Sequence, residues 1–124
     1  MARKQFATWE VAGEEYNLKL KTSTLCKLEE KLGTSVLNIM GNEGIPPLTV
    51  MLTITHYAMK DYNSNIKFVD VQNLFDKYID EGGSQLEFFS KVVMEIFKVS
   101  GFFSEAQAEK MEEKQLQAEE LLEG

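Results

Sequence analysis

Cysteine and histidine each occur once in this chain, as Cys26 and His56, and proline only twice, as Pro46 and Pro47. A single cysteine excludes an internal disulfide. None is needed, since a chain of 124 residues can bury roughly two-thirds of its unfolded surface. A free thiol fits a reducing compartment. With one histidine there is no His-x-x-x-His pair, and neither Glu-x-x-His nor Cys-x-x-Cys occurs around it. No apolar run approaches the ~20 residues that span a bilayer. The opening "MARKQFATWEV" also lacks the apolar core of a signal peptide. A soluble intracellular protein without a membrane partner is therefore expected. Basic residues do not cluster beyond Arg3 and Lys4, so no nucleic-acid partner is expected either.

Acidic charge is present, and it is local. The net charge is −7, and residues 105–124 carry seven Glu against two Lys, or −5, which leaves −2 on the other 104 residues. This divides the chain into one globular domain, 1–103, and an acidic helical or frayed tail, 104–124. The tail's apolar positions are too few to offset the ordering entropy of packing it.

The periodicities predict a mainly helical α+β domain. "FATWEV" and "YNLKLK" alternate as strands, with Ala7, Trp9 and Val11 on one face and Tyr16, Leu18 and Leu20 on the other strand's face. "AGEE" reads as the hairpin connection. Two strands are marginal alone, so the ribbon must pack on helices or pair with another chain. About four to five helices follow. "TSTLCKLEEKLG" has a Thr or Ser cap, a Leu25–Leu28–Leu32 stripe and a Gly33 stop. A short helix follows at "TSVLNIMG", capped by Thr34 or Ser35. A central helix at 47–61 starts on the prolines and is apolar nearly all round, with only Thr49, Thr53, His56 and Lys60 as a polar strip. Asp70 reads as the next N-cap, with Val69 and Leu74 as a hydrophobic staple and Val71, Leu74, Phe75, Tyr78 and Ile79 facing inward. Gly82-Gly83 end that helix, and Ser84 with Glu87 opens another to about Ser100. Ser104 with Gln107 marks a last helix start. The expected core includes Leu28, Leu32, Leu52, Leu74, Phe75, Phe89 and Val93.

No catalytic constellation emerges. Thr53, Leu52, Met59 and Lys60, the helical neighbours of His56, cannot orient an imidazole as a carboxylate would, so a partly exposed structural histidine is expected. Cys26 reads as a small buried hydrophobe. Gly33, Gly41 and Gly44 lack the Gly-Lys-Ser/Thr of a phosphate loop. Asp80 and Glu81 argue against an anion at Gly82-Gly83. The pairs Glu29-Glu30 and Glu112-Glu113 read as solvated charge. The expectation is a non-enzyme with no cofactor and no metal site.

The helix 84–100 holds the sharper question. Glu87, Lys91, Glu95 and Lys98 make one narrow charged strip. Leu86, Phe89, Val93, Ile96 and Phe97 fill one apolar face, and Phe88, Val92 and Val99 a second flank. Two readings stand: a fully buried helix, or a flank that forms a protein-binding surface with Phe102 and Phe103. The candidate contact residues are thus Phe88, Val92, Val99, Phe102 and Phe103, for a partner or for self-association into a homo-oligomer.

The ordered series "LKLKTSTLCKLEEKLG", "SVLNIM", "GIPPLTVMLTITHYAMK", "FDKYIDEGG" and "KVSGFF" resembles the tail assembly chaperones of long-tailed bacteriophages, especially those of Gram-positive hosts, over residues 15–103. The ribbon and the acidic tail match only in general character. The resemblance implies a non-enzymatic protein of the host cytoplasm that is absent from the mature virion. It implies binding to the tape measure protein, the long helical chain that sets tail length, and keeping it soluble while tube subunits polymerise around it. Many such phages also make a frameshifted longer form, and the resemblance implies contact with the tail tube protein through it. The resemblance supplies no catalytic residues, and Pro46–Pro47 and Ser100–Phe103 match as structural landmarks only. The alternative is a bacterial or prophage adaptor that regulates by protein binding.

Overall fold

The computed structural model describes residues 4–40, 44–104, 106–107 and 120–121. It is mainly helical with an N-terminal β-hairpin. Strands β1 (Ala7–Val11) and β2 (Glu14–Leu18) are antiparallel, with Ala7 opposite Leu18 and Val11 opposite Glu14. Ala7, Trp9 and Val11 are buried while Thr8 and Glu10 face solvent, as alternation requires. The connection is shorter than "AGEE": only Ala12 and Gly13 turn, and both adopt positive φ, 53° and 80°. That is a two-residue type I′ turn, whose twist matches the strands. Both carboxylate oxygens of Glu81 accept the Ala12 N–H at 3.1 Å, which ties the hairpin tip to the helical layer.

Among the described residues five helices with given bounds follow. Helix α1 (Thr22–Leu32) starts on Lys21 without a side-chain cap, so the expected Thr or Ser cap lies inside the first turn instead. Gly33 ends it at φ 73°, its N–H bonded to the Glu29 carbonyl. Helix α2 (Val36–Met40) begins with two capped donors. The Ser35 hydroxyl accepts from Asn38 N–H at 3.0 Å, and the Glu29 carboxylate accepts from Val36 N–H at 2.8 Å. Glu29 is therefore more than solvated charge.

Helix α3 (Leu48–Met59) is the centre of the domain and touches α1, α4, β2 and the final helix. Its polar strip is narrower than the sequence suggests, because Thr53 is buried together with Thr55. Their hydroxyls donate to the carbonyls of Thr49 and Met51 one turn back, at 2.7 and 2.8 Å, so burial leaves no orphan donor.

Helix α4 (Phe68–Asp80) is capped at Lys67, three residues before the expected cap. Asp70 is the third helical residue, and its carboxylate accepts the Lys67 N–H at 2.8 Å. Val69 consequently faces solvent rather than acting as a staple, and Ile79 is also exposed. The helix ends in a Schellman motif: Gly83 N–H bonds to the Tyr78 carbonyl and Gly82 N–H to the Ile79 carbonyl, both at 3.0 Å.

Helix α5 runs over 85–99, as Gln85–Phe88, a π-helical turn Phe89–Val93 and Met94–Val99. The Ser84 hydroxyl caps it by accepting from Glu87 N–H at 3.1 Å. It too ends in a Schellman motif, with Phe102 N–H on the Phe97 carbonyl and Gly101 N–H on the Lys98 carbonyl. Ser100 then accepts the Leu20 N–H at 2.9 Å, joining the two ends of the domain.

The core forms where the hairpin and α4 close over α3 and α5. Leu28, Leu52, Leu74, Phe75 and Val93 are buried, and Leu32 and Phe89 pack half-buried against them, as expected. Trp9, Phe75, Tyr78 and Phe88 make an aromatic cluster with ring centroids 5.1–5.9 Å apart. The expectation of a frayed or unpacked tail falls mostly on residues outside the described ones. At its start, Ser104 and Gln107 do form the reciprocal capping box: Ser104 N–H donates to the Gln107 side chain at 2.9 Å, and Gln107 N–H to the Ser104 hydroxyl at 3.2 Å.

Candidate protein-binding surface

The flank of α5 singled out as a contact surface lies inside the domain. Phe88 is fully buried, and Val92, Val99 and Phe103 are buried as well. Two things cover them. The core face of the hairpin lies on α5, with the Trp9 ring 5.1 Å from Phe88. The closing turn folds back, setting Phe102 against Phe97 at 5.0 Å. That last contact, between the residue two past the cap and the one a turn before it, is the apolar pair that accompanies a Schellman stop. The "SGFF" ending is thus a helix terminator, and Phe102 is half-buried against the core. The five residues are brought together, but as core. The signal that they belong there was in the sequence: the apolar stripe Ala7–Trp9–Val11 and the second flank of α5 each lacked a partner, and each is the other's.

Among the described residues the exposed large apolar side chains are instead Leu37 on α2, Ile45 before α3, Tyr62 after it, Val69 and Ile79 on α4, and Leu121. They are spread over several elements, and apolar residues scattered singly are ordinary on a protein surface.

A cleft of about 600 Å³ opens between β2, the α3–α4 connection and the polar side of α4. Tyr16, Tyr62, Asn63, Asn65, Asp70, Asn73 and Lys77 line it. The Tyr16 hydroxyl donates to the Glu14 carboxylate at 2.9 Å. Partial burial, reinforced by that bond to a carboxylate, raises its pKa. Periodicity carries no signal for such a cleft, which arises from loop placement.

The remaining chemical candidates are structural. The His56 ring bonds the Ile66 carbonyl through Nε2 at 3.0 Å, and since a carbonyl only accepts, that nitrogen carries the proton. His56 thereby pins the α3–α4 connection and stays half-exposed, as its sequence context suggests. Cys26 is exposed, contrary to expectation, because α1 buries the face of Thr24 and Leu28 and Cys26 points away from it. Tyr78 donates to Glu87 at 3.1 Å, and burial first, then the neighbouring carboxylate, pushes its pKa well above the usual tyrosine value. Among the described residues no three His, Cys, Asp or Glu side chains gather closely enough to hold a metal ion. No described helix is long and apolar enough to cross a membrane.

The sequence pattern of a family of unknown function, DUF6096, matches residues 2–122, nearly the whole chain. The chain belongs to the DUF6096 family. No curated protein matches it, and no solved structure does. The matched span takes in the hairpin, the five helices described above and most of the acidic tail.

Proposed function

We propose that this protein is a phage tail assembly chaperone, a non-enzymatic partner that keeps the tape measure protein soluble during tail morphogenesis. It acts in the host cytoplasm and is left out of the finished virion. The observation that carries the reading is the ordered series of five segments, from "LKLKTSTLCKLEEKLG" to "KVSGFF", which resembles those chaperones. The segments run from the end of β2 through α1, α2, α3 and α4 to the Schellman stop of α5.

The client contact belongs on exposed helix surface, not on the buried flank of α5. Leu37, Val69 and Ile79 are the apolar side chains that α2 and α4 present to solvent. Scattered singly, each can meet one apolar residue of a helical client. The acidic tail adds net charge, which favours solubility of the complex. Contact with the tail tube protein through a longer form follows from the resemblance alone.

The test is co-expression with the tape measure protein encoded nearby, which should be insoluble alone and soluble with this chain. Leu37→Asp combined with Val69→Asp should weaken the rescue while leaving the helical circular dichroism intact. Phe88→Asp combined with Val92→Asp should destroy fold and rescue together. A client equally soluble without the chain contradicts the proposal.

A further inference from the structure

The hairpin leaves one strand edge open. The two-residue turn makes Val11 and Glu14 a mutually hydrogen-bonded pair. Alternation then assigns Trp9–Tyr16 and Ala7–Leu18 to hydrogen-bonded pairs, and Glu10–Glu15 and Thr8–Asn17 to the pairs between them. The N–H and C=O groups of Thr8, Glu10, Glu15 and Asn17 therefore point outward from the ribbon. Two other contacts agree with this phase: Ala12 N–H reaches outward to Glu81, and Lys19 N–H reaches outward to the Ala58 carbonyl at 3.0 Å.

The two edges are not equivalent. On β1, Glu81 occupies the tip, and Lys91 and Glu95 of α5 share a small pocket of about 200 Å³ with Thr8. On β2 the Lys19 N–H is taken by the Ala58 carbonyl; Glu15 and Asn17, like Thr8 and Glu10 on β1, make no backbone hydrogen bond to any described residue, and the larger cleft lies beside Tyr16. An unpaired strand edge is a template for another strand.

The geometry points to a second copy of this chain as that strand, paired antiparallel through β2 about a two-fold axis at Tyr16. This register is the one the outward groups allow. Glu15 faces Asn17 of the second copy and Asn17 faces its Glu15, each exchanging N–H···O=C bonds in both directions, while the two Tyr16 residues form the pair between them. It is also the register the side chains favour. Each Glu15 carboxylate meets an amide donor, and no carboxylate on β2 faces another. The two Tyr16 rings meet over the paired clefts, with Cα atoms about 4.5 Å apart as in other pairs of this kind. The single hairpin, marginal on its own, becomes a four-stranded sheet. This inference stands apart from the chaperone reading and does not depend on it.

Sedimentation velocity over a concentration series tests it, with helical circular dichroism as the check on folding. The wild-type chain should form a reversible dimer. Asn17→Glu places two like-charged pairs across the axis and should raise the dimer dissociation constant roughly tenfold or more. Asn17→Lys places Lys opposite Glu15 and should lower it. In a Cys26→Ser background, Tyr16→Cys should form an intermolecular disulfide on mild oxidation, and Thr8→Cys on the other edge should not. A wild-type monomer at all concentrations overturns the proposal. So does an oligomer whose dissociation is the same for the Glu and Lys variants, or equal cross-linking through positions 8 and 16.

Discussion

Replacing Phe88 with alanine separates a core residue from an interface residue. Phe88 is fully buried and touches three aromatic rings: Trp9 at 5.1 Å, Phe75 at 5.2 Å and Tyr78 at 5.9 Å, all edge-to-face. Truncating a buried Phe costs about 3–5 kcal/mol, from lost transfer energy and the cavity left behind. The upper half of that range is expected here, because the lost ring contacts add to it and the cluster is held by three separate elements that cannot all collapse inward. A domain of this size has about 5–15 kcal/mol of total stability, so the variant should fold but melt early. At roughly 3–4 °C per kcal/mol for this length, a loss of ~4 kcal/mol lowers Tm by about 12–16 °C. Thermal and guanidinium unfolding followed by far-ultraviolet circular dichroism reads this directly. Val69→Ala, at a side chain 53% exposed, is the control and should fall within ~0.5 kcal/mol of wild type. A Phe88→Ala protein less than ~1 kcal/mol destabilised, yet unable to solubilise a client, would refute the core assignment and return Phe88 to an interface.

Three further outcomes follow from local geometry. A Cβ on Gly83 would clash with the Tyr78 ring, so Gly83→Ala should displace that ring from Glu87 and cost about 1–3 kcal/mol, measured by denaturant unfolding. Glu10 and Glu15 are directly opposite on the exposed face of the hairpin, so Glu10→Lys should raise stability by about 0.5–1 kcal/mol, an effect that shrinks in high salt. The Tyr78 pKa is raised in the folded state, so its contribution is fully present below the unfolded tyrosine value of about 10 and is lost as pH climbs through the window above it. Tyr78→Phe should therefore cost about 1 kcal/mol at neutral pH and flatten part of the alkaline decline in stability.

Elements were legible where one physical rule acted alone. Alternation placed β1 and β2, the Leu25–Leu28–Leu32 spacing with Gly33 placed α1, and the all-round apolar pattern marked α3 as central. The Ser104–Gln107 box was read from spacing and is present. Errors arose where a side chain serves a backbone far away or does two jobs. Asp70 can close a helix from its first position or its third, and only the fold shows that α4 starts earlier. Thr53 looks polar until its hydroxyl is seen bonded one turn back. Glu29 reads as surface charge because its partner, Val36 N–H, is seven residues away. The candidate contact residues failed for a related reason. A one-dimensional projection of α5 counts apolar flanks without asking which other element also lacks cover. The hairpin's buried stripe, with Trp9 in the middle, was that element. The open edge of β2 could be inferred once the length of the turn fixed which residues point outward.

The central claim, that this chain keeps a tape measure protein in solution, is tested most directly by diluting that protein from denaturant with and without an equimolar amount of the folded chain and measuring what remains in the supernatant after centrifugation. The client should precipitate alone and stay soluble as a complex with the chain, and an unrelated acidic helical protein at the same concentration should not substitute. A client that precipitates equally in the presence and absence of the chain, or that stays soluble with any acidic protein, would contradict it.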